Sequence, residues 1–203
     1  KCLQMYAIGI DYQVHKTTKL SFDAALSNND INTFSKKDNS DNIGYGLKIN
    51  LLNETDLKKK TSQLAHWKMN LEAFYETKNN TFSYIDDYQD KDFRRNYNIN
   101  DTLMNNSYHY MGIDINFKHI QKGSAKLASE LFLIPTYNYY GNRNFLATNY
   151  QTKGVKMGLE AAILKNRQLD FETQFIQHKE VISSDLKFVN IGIANEMEVN
   201  FYQ

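Results

Sequence analysis

Which residues of this chain could carry chemistry? The densest candidate is the run Ile85-Asp86-Asp87-Tyr88-Gln89-Asp90-Lys91-Asp92, where Asp86, Asp87, Asp90 and Asp92 could gather oxygen ligands around a calcium ion. Their spacing is not that of a known calcium loop, and Lys91, Arg94 and Arg95 bring positive charge directly beside them. A solvated loop accounts for the run, so no metal is assigned. Of the histidines, His15, His66, His109, His119 and His178, no two share metal-ligand spacing on one strand face. They read as turn, interior or interface residues. The single Cys2 excludes an internal disulfide and a cysteine-based zinc cluster. The chain has no Gly-rich phosphate loop, no Gly-x-Ser-x-Gly elbow and no carboxylate pair spaced for acid–base work. The expectation is a non-enzymatic protein with no cofactor and no metal.

What remains is a set of charges on one face of alternating segments. Lys48, His66, Lys68, Glu72, Asp114, Lys118, Lys126, Glu130, Lys156, Glu160, Asp170, Glu172, Glu196 and Glu198 all fall on the polar side of the alternation. They are expected to face a barrel lumen. A pore selective for one ion sign would carry one dominant sign. The mixture suits a weakly selective aqueous channel, or a scaffold whose interior charges pair with each other or with a plug. Overall charge is balanced, 24 Lys plus Arg against 23 Asp plus Glu, which gives no reason to expect nucleic acid as a partner. The basic turn Lys58-Lys59-Lys60 could meet anionic lipid headgroups, and a plain soluble turn accounts for it equally.

The elements that must hold these charges are strands. Period-two alternation recurs along almost all of the 203 residues, and helical spacing is scarce. A single segment of about nine long strands is expected, at 5–14, 18–27, 42–53, 62–77, 107–120, 124–138, 150–164, 168–178 and 186–202. Long loops are expected at 28–41, 78–106, 140–149 and 179–185, with Thr81–Ile85 as one arm of a short hairpin. Tight turns are expected near His15–Thr18, Gln121–Gly123 and Lys165–Arg167, with a longer one around Asp56–Lys60. Gly123 sits where a three-residue hairpin loop needs positive φ. Short and long connections then alternate. In GVKMGLEAAILKNRQLDFETQF (154–175) the apolar set is Val155, Met157, Leu159, Ala161, Ile163, Leu169, Phe171 and Phe175.

That apolar face cannot meet water, because burying each large side chain is worth about 1.5–3 kcal/mol. No run approaches about 18 apolar residues, so no membrane-spanning helix is expected. The face needs a second protein layer or lipid. Three features favour lipid. The strands run to about 10–13 residues, against about 5–6 in ordinary sheets. Gly9, Gly44, Gly46, Gly112, Gly158 and Gly192 sit mid-strand on the polar face, where a crowded interior would need them. Aromatics gather near strand ends: Tyr12, Trp67, Tyr75, Tyr108, Tyr110, Tyr137, Tyr139, Tyr140, Phe201 and Tyr202. Pro135 on an apolar strand face counts against a closed barrel, where every strand is paired.

The terminal segment IGIANEMEVNFYQ resembles the closing strand of Gram-negative outer-membrane β-barrel proteins, alternating apolar residues with aromatics at the end. The resemblance implies an all-β antiparallel up-and-down meander forming part of a transmembrane barrel in a bacterial outer membrane, with lipid as its main partner. It implies a channel, a transporter or a scaffold of an envelope complex, possible further subunits included. Both ends of such a barrel lie on the periplasmic side. Nine strands would start on the opposite side, so 1–203 is expected to be the C-terminal portion of a larger barrel, with upstream strands of the same chain. The first residue is Lys rather than Met, which fits removal of an upstream piece. The alternative is a soluble β-sandwich or lipocalin-like barrel binding a ligand or protein partner, with the same residues packed inside.

Overall fold

The computed structural model describes the backbone of residues 2–30, 42–57, 67–85, 89, 91–119, 121–152, 155–168, 171–186 and 189–202; in the last two strands only Ile176 has a described side chain. The period-two segments become β1 (Cys2–His15), β2 (Thr18–Asp30), β3 (Ile43–Asp56), β4 (Trp67–Lys78), β5 (Tyr108–His119), β6 (Gly123–Ile134), β7 (Tyr139–Thr152), β8 (Val155–Gln168), β9 (Phe171–Leu186) and β10 (Val189–Tyr202). They form one antiparallel sheet in strict chain order, with β1 and β10 as its unpaired edges. Two short helices, α1 (Lys91–Tyr97) and α2 (Asp101–Met104), lie between β4 and β5. Neither is long and apolar enough to cross a membrane.

The sheet has ten strands rather than nine. The expected loop 140–149 lies inside β7, which pairs with β6 and β8 along its length. Its outward row holds Asn142, Asn144 and Thr148 beside Tyr140, Leu146 and Tyr150, so the hydrophobic period is lost and two neighbouring ladders hold the strand instead. The expected loop 179–185 is likewise the far half of β9, paired on both sides. The expected turn at Lys165–Arg167 is part of β8, and the chain reverses after Gln168. The register therefore sets Ile163 opposite Ile176, and Leu164 opposite Phe175. A shift of odd parity exchanges the faces of a strand, so Ile176, not Phe175, continues the apolar row. Pro135 falls outside the ladder, opening a 3-10 turn, Pro135–Tyr137, that Asn138 closes at φ 49°. β6 thus ends at Ile134, and a proline without an N–H leaves no gap. Thr81–Ile85 forms no hairpin arm.

Links after β1, β3, β5, β7 and β9 lie at one end, hereafter the turn end; the other is the loop end. The 135–138 link is short yet lies at the loop end with residues 79–107, so short and long connections do not alternate throughout. With ten strands in place of nine, the start of β1 and the end of β10 share that end. The tight turn at His15–Thr18 is present, and Gly123 has φ +139°.

The apolar side chains form an exposed belt on one face. Tyr6 is 68% exposed, Ile8 62%, Ile113 52% and Leu127 49%. The belt runs obliquely to the ladder. Ile10, mid-belt on β1, lies in the cross-strand row of Phe22, Ile49, Tyr75, Met111, Leu131, Asn142 and Lys165, so the row leaves the apolar run at β7. Leu159, mid-belt on β8, lies in the row of Thr148, Ala125, Phe117 and Met69. Tyr75 and Met69 are six residues apart on β4, about 20 Å at about 3.4 Å per residue. Spread over the seven spacings from β1 to β8, about 34 Å at about 4.8 Å each, this inclines the belt by about 30°.

The opposite face is concave and holds the buried core. Tyr97 of α1 reaches the Tyr110 ring of β5, Glu130 of β6, Tyr139 of β7 and Asn166 of β8. A flat sheet would spread those strands over about 14 Å. One residue touches all four because the sheet wraps around it.

Candidate functional site

The concave face is graded along the strands. Directly opposite residues on paired strands share a face. Nearest the turn end one row reads Lys68, Lys118, Ser124, Asn149. Further along, Glu72 stands opposite Asp114. Toward the loop end the row becomes Glu76, Tyr110, Phe132, Gly141 and Asn166. Charge gives way to aromatic packing.

At the loop end the segment between β4 and β5 folds onto this face. It starts as a strap along β3: the Tyr45 amide donates to Asn79 Oδ1 (2.8 Å), and Thr81 Oγ1 donates to the Ile43 carbonyl (2.7 Å). The Ser83 amide donates to Ser27 Oγ, and Asn29 Nδ2 donates to Ser83 Oγ, both at 3.0 Å. Phe82 lies over Gly44 and Gly46. A Cβ on Gly44 would fall 2.2 Å from the Phe82 backbone, and one on Gly46 would fall 3.3 Å from its ring. At Gly112 a Cβ would stand 2.8 Å from the Phe74 ring. These mid-strand glycines leave the room a crowded interior needs. Replacing Gly44 with valine should therefore lift the strap, at about 1–3 kcal/mol for overpacking. Limited proteolysis is expected to cut within 79–85 while strand content by circular dichroism stays unchanged; Gly46→Ala should show the same effect more weakly.

Past the strap the segment builds a core. Phe93, Tyr97, Ile99, Leu103 and Met104 bury themselves against Tyr108, Phe132, Ile134, Tyr139 and Leu164 of the sheet. Phe132 is wholly buried, with rings of Phe93, Tyr97, Tyr108, Tyr110 and Tyr139 between 5.1 and 6.1 Å away. Polar groups close the edges. Tyr97 donates its hydroxyl to Glu130 Oε2 (2.7 Å), and its carbonyl accepts from Tyr139 and from Asn166 Nδ2 (3.3 Å). Burial, reinforced by Tyr110 and Glu130, holds the Tyr97 phenol well above its usual range, so it stays a proton donor. Tyr108 donates to Glu76 Oε1 (2.6 Å) and meets the Tyr84 hydroxyl at 2.9 Å, while Lys78 Nζ lies over both rings.

The expected interior charges that are described all take the concave face, mostly in pairs. Lys48 is 3.9 Å from Glu76, Lys68 is 3.8 Å from Asp56, and Lys126 is 2.5 Å from Asp114. Glu130 takes Arg143 at 3.5 Å besides Tyr97. Glu72, Lys118, Lys156 and Glu160 hold the same face by register. Asp170 and His66 lie outside the described residues, as do the side chains of Glu172, Glu196 and Glu198 and the Lys58–Lys60 turn. So do Asp86, Asp87 and Asp90, while Asp92 pairs with Arg95 at 3.5 Å. Among the described residues no cluster could hold a metal ion.

Glu76, Arg143 and Tyr97 escaped the sequence reading. Arg143 was hidden in the expected loop, and Tyr97 lay in a segment with no strand period. Tyr108, Tyr110 and Tyr139, expected at a membrane boundary, belong to the interior core instead. The signal existed for two of them: Tyr108 and Tyr110 share parity with Gly112 and Asp114, not with Met111 and Ile113. Comparison of the chain with family models, with curated proteins and with solved structures found no match.

Proposed function

We propose that this chain forms wall strands of a transmembrane β-barrel in a bacterial outer membrane. Its role there is a non-enzymatic scaffold of an envelope complex, with the lumen occupied at one end, rather than an open channel. One observation carries the reading: a continuous belt of exposed apolar side chains, inclined about 30° to the hydrogen-bond rows, on the face opposite the buried core. Strands in membrane barrels tilt by about 35–45°, so a belt level with the bilayer crosses the ladder obliquely. A soluble sandwich needs a second layer over that belt, and no described residue supplies one. The aromatic core and its paired charges fill the loop end of the concave face, which supports scaffold over channel.

The test is recovery and conductance. Expressed protein should resist carbonate extraction, need detergent to leave the membrane, and give no steady conductance in planar bilayers. Recovery as a detergent-free soluble monomer would end the membrane reading. Stepwise conductance from the intact protein would leave the membrane and replace the scaffold with a channel.

A further inference from the structure

At the turn end of the concave face lies a hollow of about 510 Å³, lined by Lys118, Ser124, Asn149, Gln151 and Lys156 among others, with no carboxylate in its lining. We infer that this hollow binds a multivalent phosphate anion. Tyr150 and Met157, opposite each other in a belt-side row, also line it; the inference rests on the lysines of the polar side.

Of the lysines elsewhere on this face, Lys19, Lys48, Lys68 and Lys126 each lie within 4 Å of a carboxylate, and Lys78 lies over the Tyr84 and Tyr108 rings. Lys118 and Lys156 have no ion-pair partner among the described residues. Lys118 moreover stands directly opposite Lys68 on the neighbouring strand. Like charges in that position repel and cost stability. An anion in the hollow would offset the repulsion. Hydroxyl and amide groups of Ser124, Asn149 and Gln151 stand between the lysines as neutral donors.

The wall is also held rigid. The amides of Gln121 and Lys122 both donate to His119 Nδ1 at 3.0 Å, and the Gln151 amide donates to the Lys122 carbonyl at 2.7 Å. The turn is thereby tied to β7, and donors fixed in advance lose little freedom on binding. Lys118 on β5 and Lys156 on β8 are three strand spacings and two residues of register apart, about 16 Å at the backbone. Their long side chains can converge on a ligand carrying several charges better than on a single small anion. Short polyphosphates and phosphorylated sugars have that form, and a lipid-borne phosphate presents the same group.

Titration calorimetry with sodium tripolyphosphate tests this, using protein in dodecyl maltoside, which contains no phosphate. Saturable binding that weakens as salt rises is expected, tighter than for orthophosphate. Lys118→Gln and Lys156→Gln should each weaken it by about tenfold, as for loss of one charge-assisted hydrogen bond. Lys48→Gln, at the loop end, should leave it unchanged. Thermal stability of Lys118→Gln should be kept or raised, since a repulsion is removed. In nanodiscs doped with phosphatidic acid, apparent tripolyphosphate affinity that falls only when Lys118 and Lys156 are present assigns the site's phosphate to lipid; unchanged affinity assigns it to a soluble anion. Absent binding in wild-type protein, or binding indifferent to both lysine substitutions, overturns the inference.

Discussion

Arginine in place of Leu127 is expected to lower the stability of the bilayer-inserted protein by about 2–4 kcal/mol, the cost of a cation near the midplane of a barrel's lipid face. Leu127 is half exposed and sits mid-belt, in a row with Leu71, Ile115, Leu146 and Ala161. Arginine at Ala147 should cost much less, because that position lies on the concave face, where Glu160 on one side offsets Lys126 on the other. Urea unfolding from liposomes reads the difference. A second measurement separates lipid from protein as the cover of the belt. In lipid-free, detergent-free buffer a bare apolar patch makes the chain associate, so Leu127→Arg should raise its solubility. If Leu127 were packed against a second protein layer, the same substitution would destabilise in both settings. Equal stability of the two variants in liposomes would remove the belt from the membrane.

The first four strands were legible because each repeats its period without interruption: Tyr6 to Val14, Leu20 to Leu26, Ile43 to Leu51 and Trp67 to Tyr75 alternate cleanly. Alternation gives one face to the belt and leaves the other to Lys48, Glu72 and Asp114, so the sidedness of the charges follows from the same pattern. β7 was invisible for the converse reason. Asn142 and Asn144 stand in its outward row, and Asn144 Nδ2 donates to Asn142 Oδ1 at 2.7 Å, so the polar pair meets some of its own needs. A strand held by two neighbours needs no hydrophobic signature of its own. Missing it cost one strand in the count, nine in place of ten.

The interior core was unreadable from local pattern altogether. α1 and α2 are too short to show helical periodicity, and Phe93, Tyr97, Ile99, Leu103 and Met104 follow no strand period. Their partners come from four separate strands, so only the folded sheet brings the cluster together. The sheet-side half left a faint mark: Tyr108, Tyr110 and Phe132 break the polar character of their face at neighbouring rows. Large aromatics on an otherwise charged face signal something packed against it. That rule would have replaced a membrane girdle with a packed aromatic core at these positions.

Truncating Phe132 to alanine should release the insert 91–104 without opening the sheet. The side chain is wholly buried among five aromatic rings, and removing a buried phenylalanine costs about 3–5 kcal/mol. That loss falls on the docking of 91–104, because Phe132 faces the insert while the β6 backbone remains paired with β5 and β7 throughout. Hydrogen exchange should rise sharply across α1 and α2 and stay slow in β5 and β6. Tyr97→Phe should do less, since it removes one hydroxyl bond to Glu130 and keeps the ring; about 1.5–3 kcal/mol is typical for a hydrogen bond to a charged group. If the insert is what closes the lumen, Phe132→Ala should also turn a silent protein into one that conducts in planar bilayers. Unchanged exchange at 91–104 in Phe132→Ala would mean that the strap at Gly44 and Ser27, not the aromatic core, holds the insert in place.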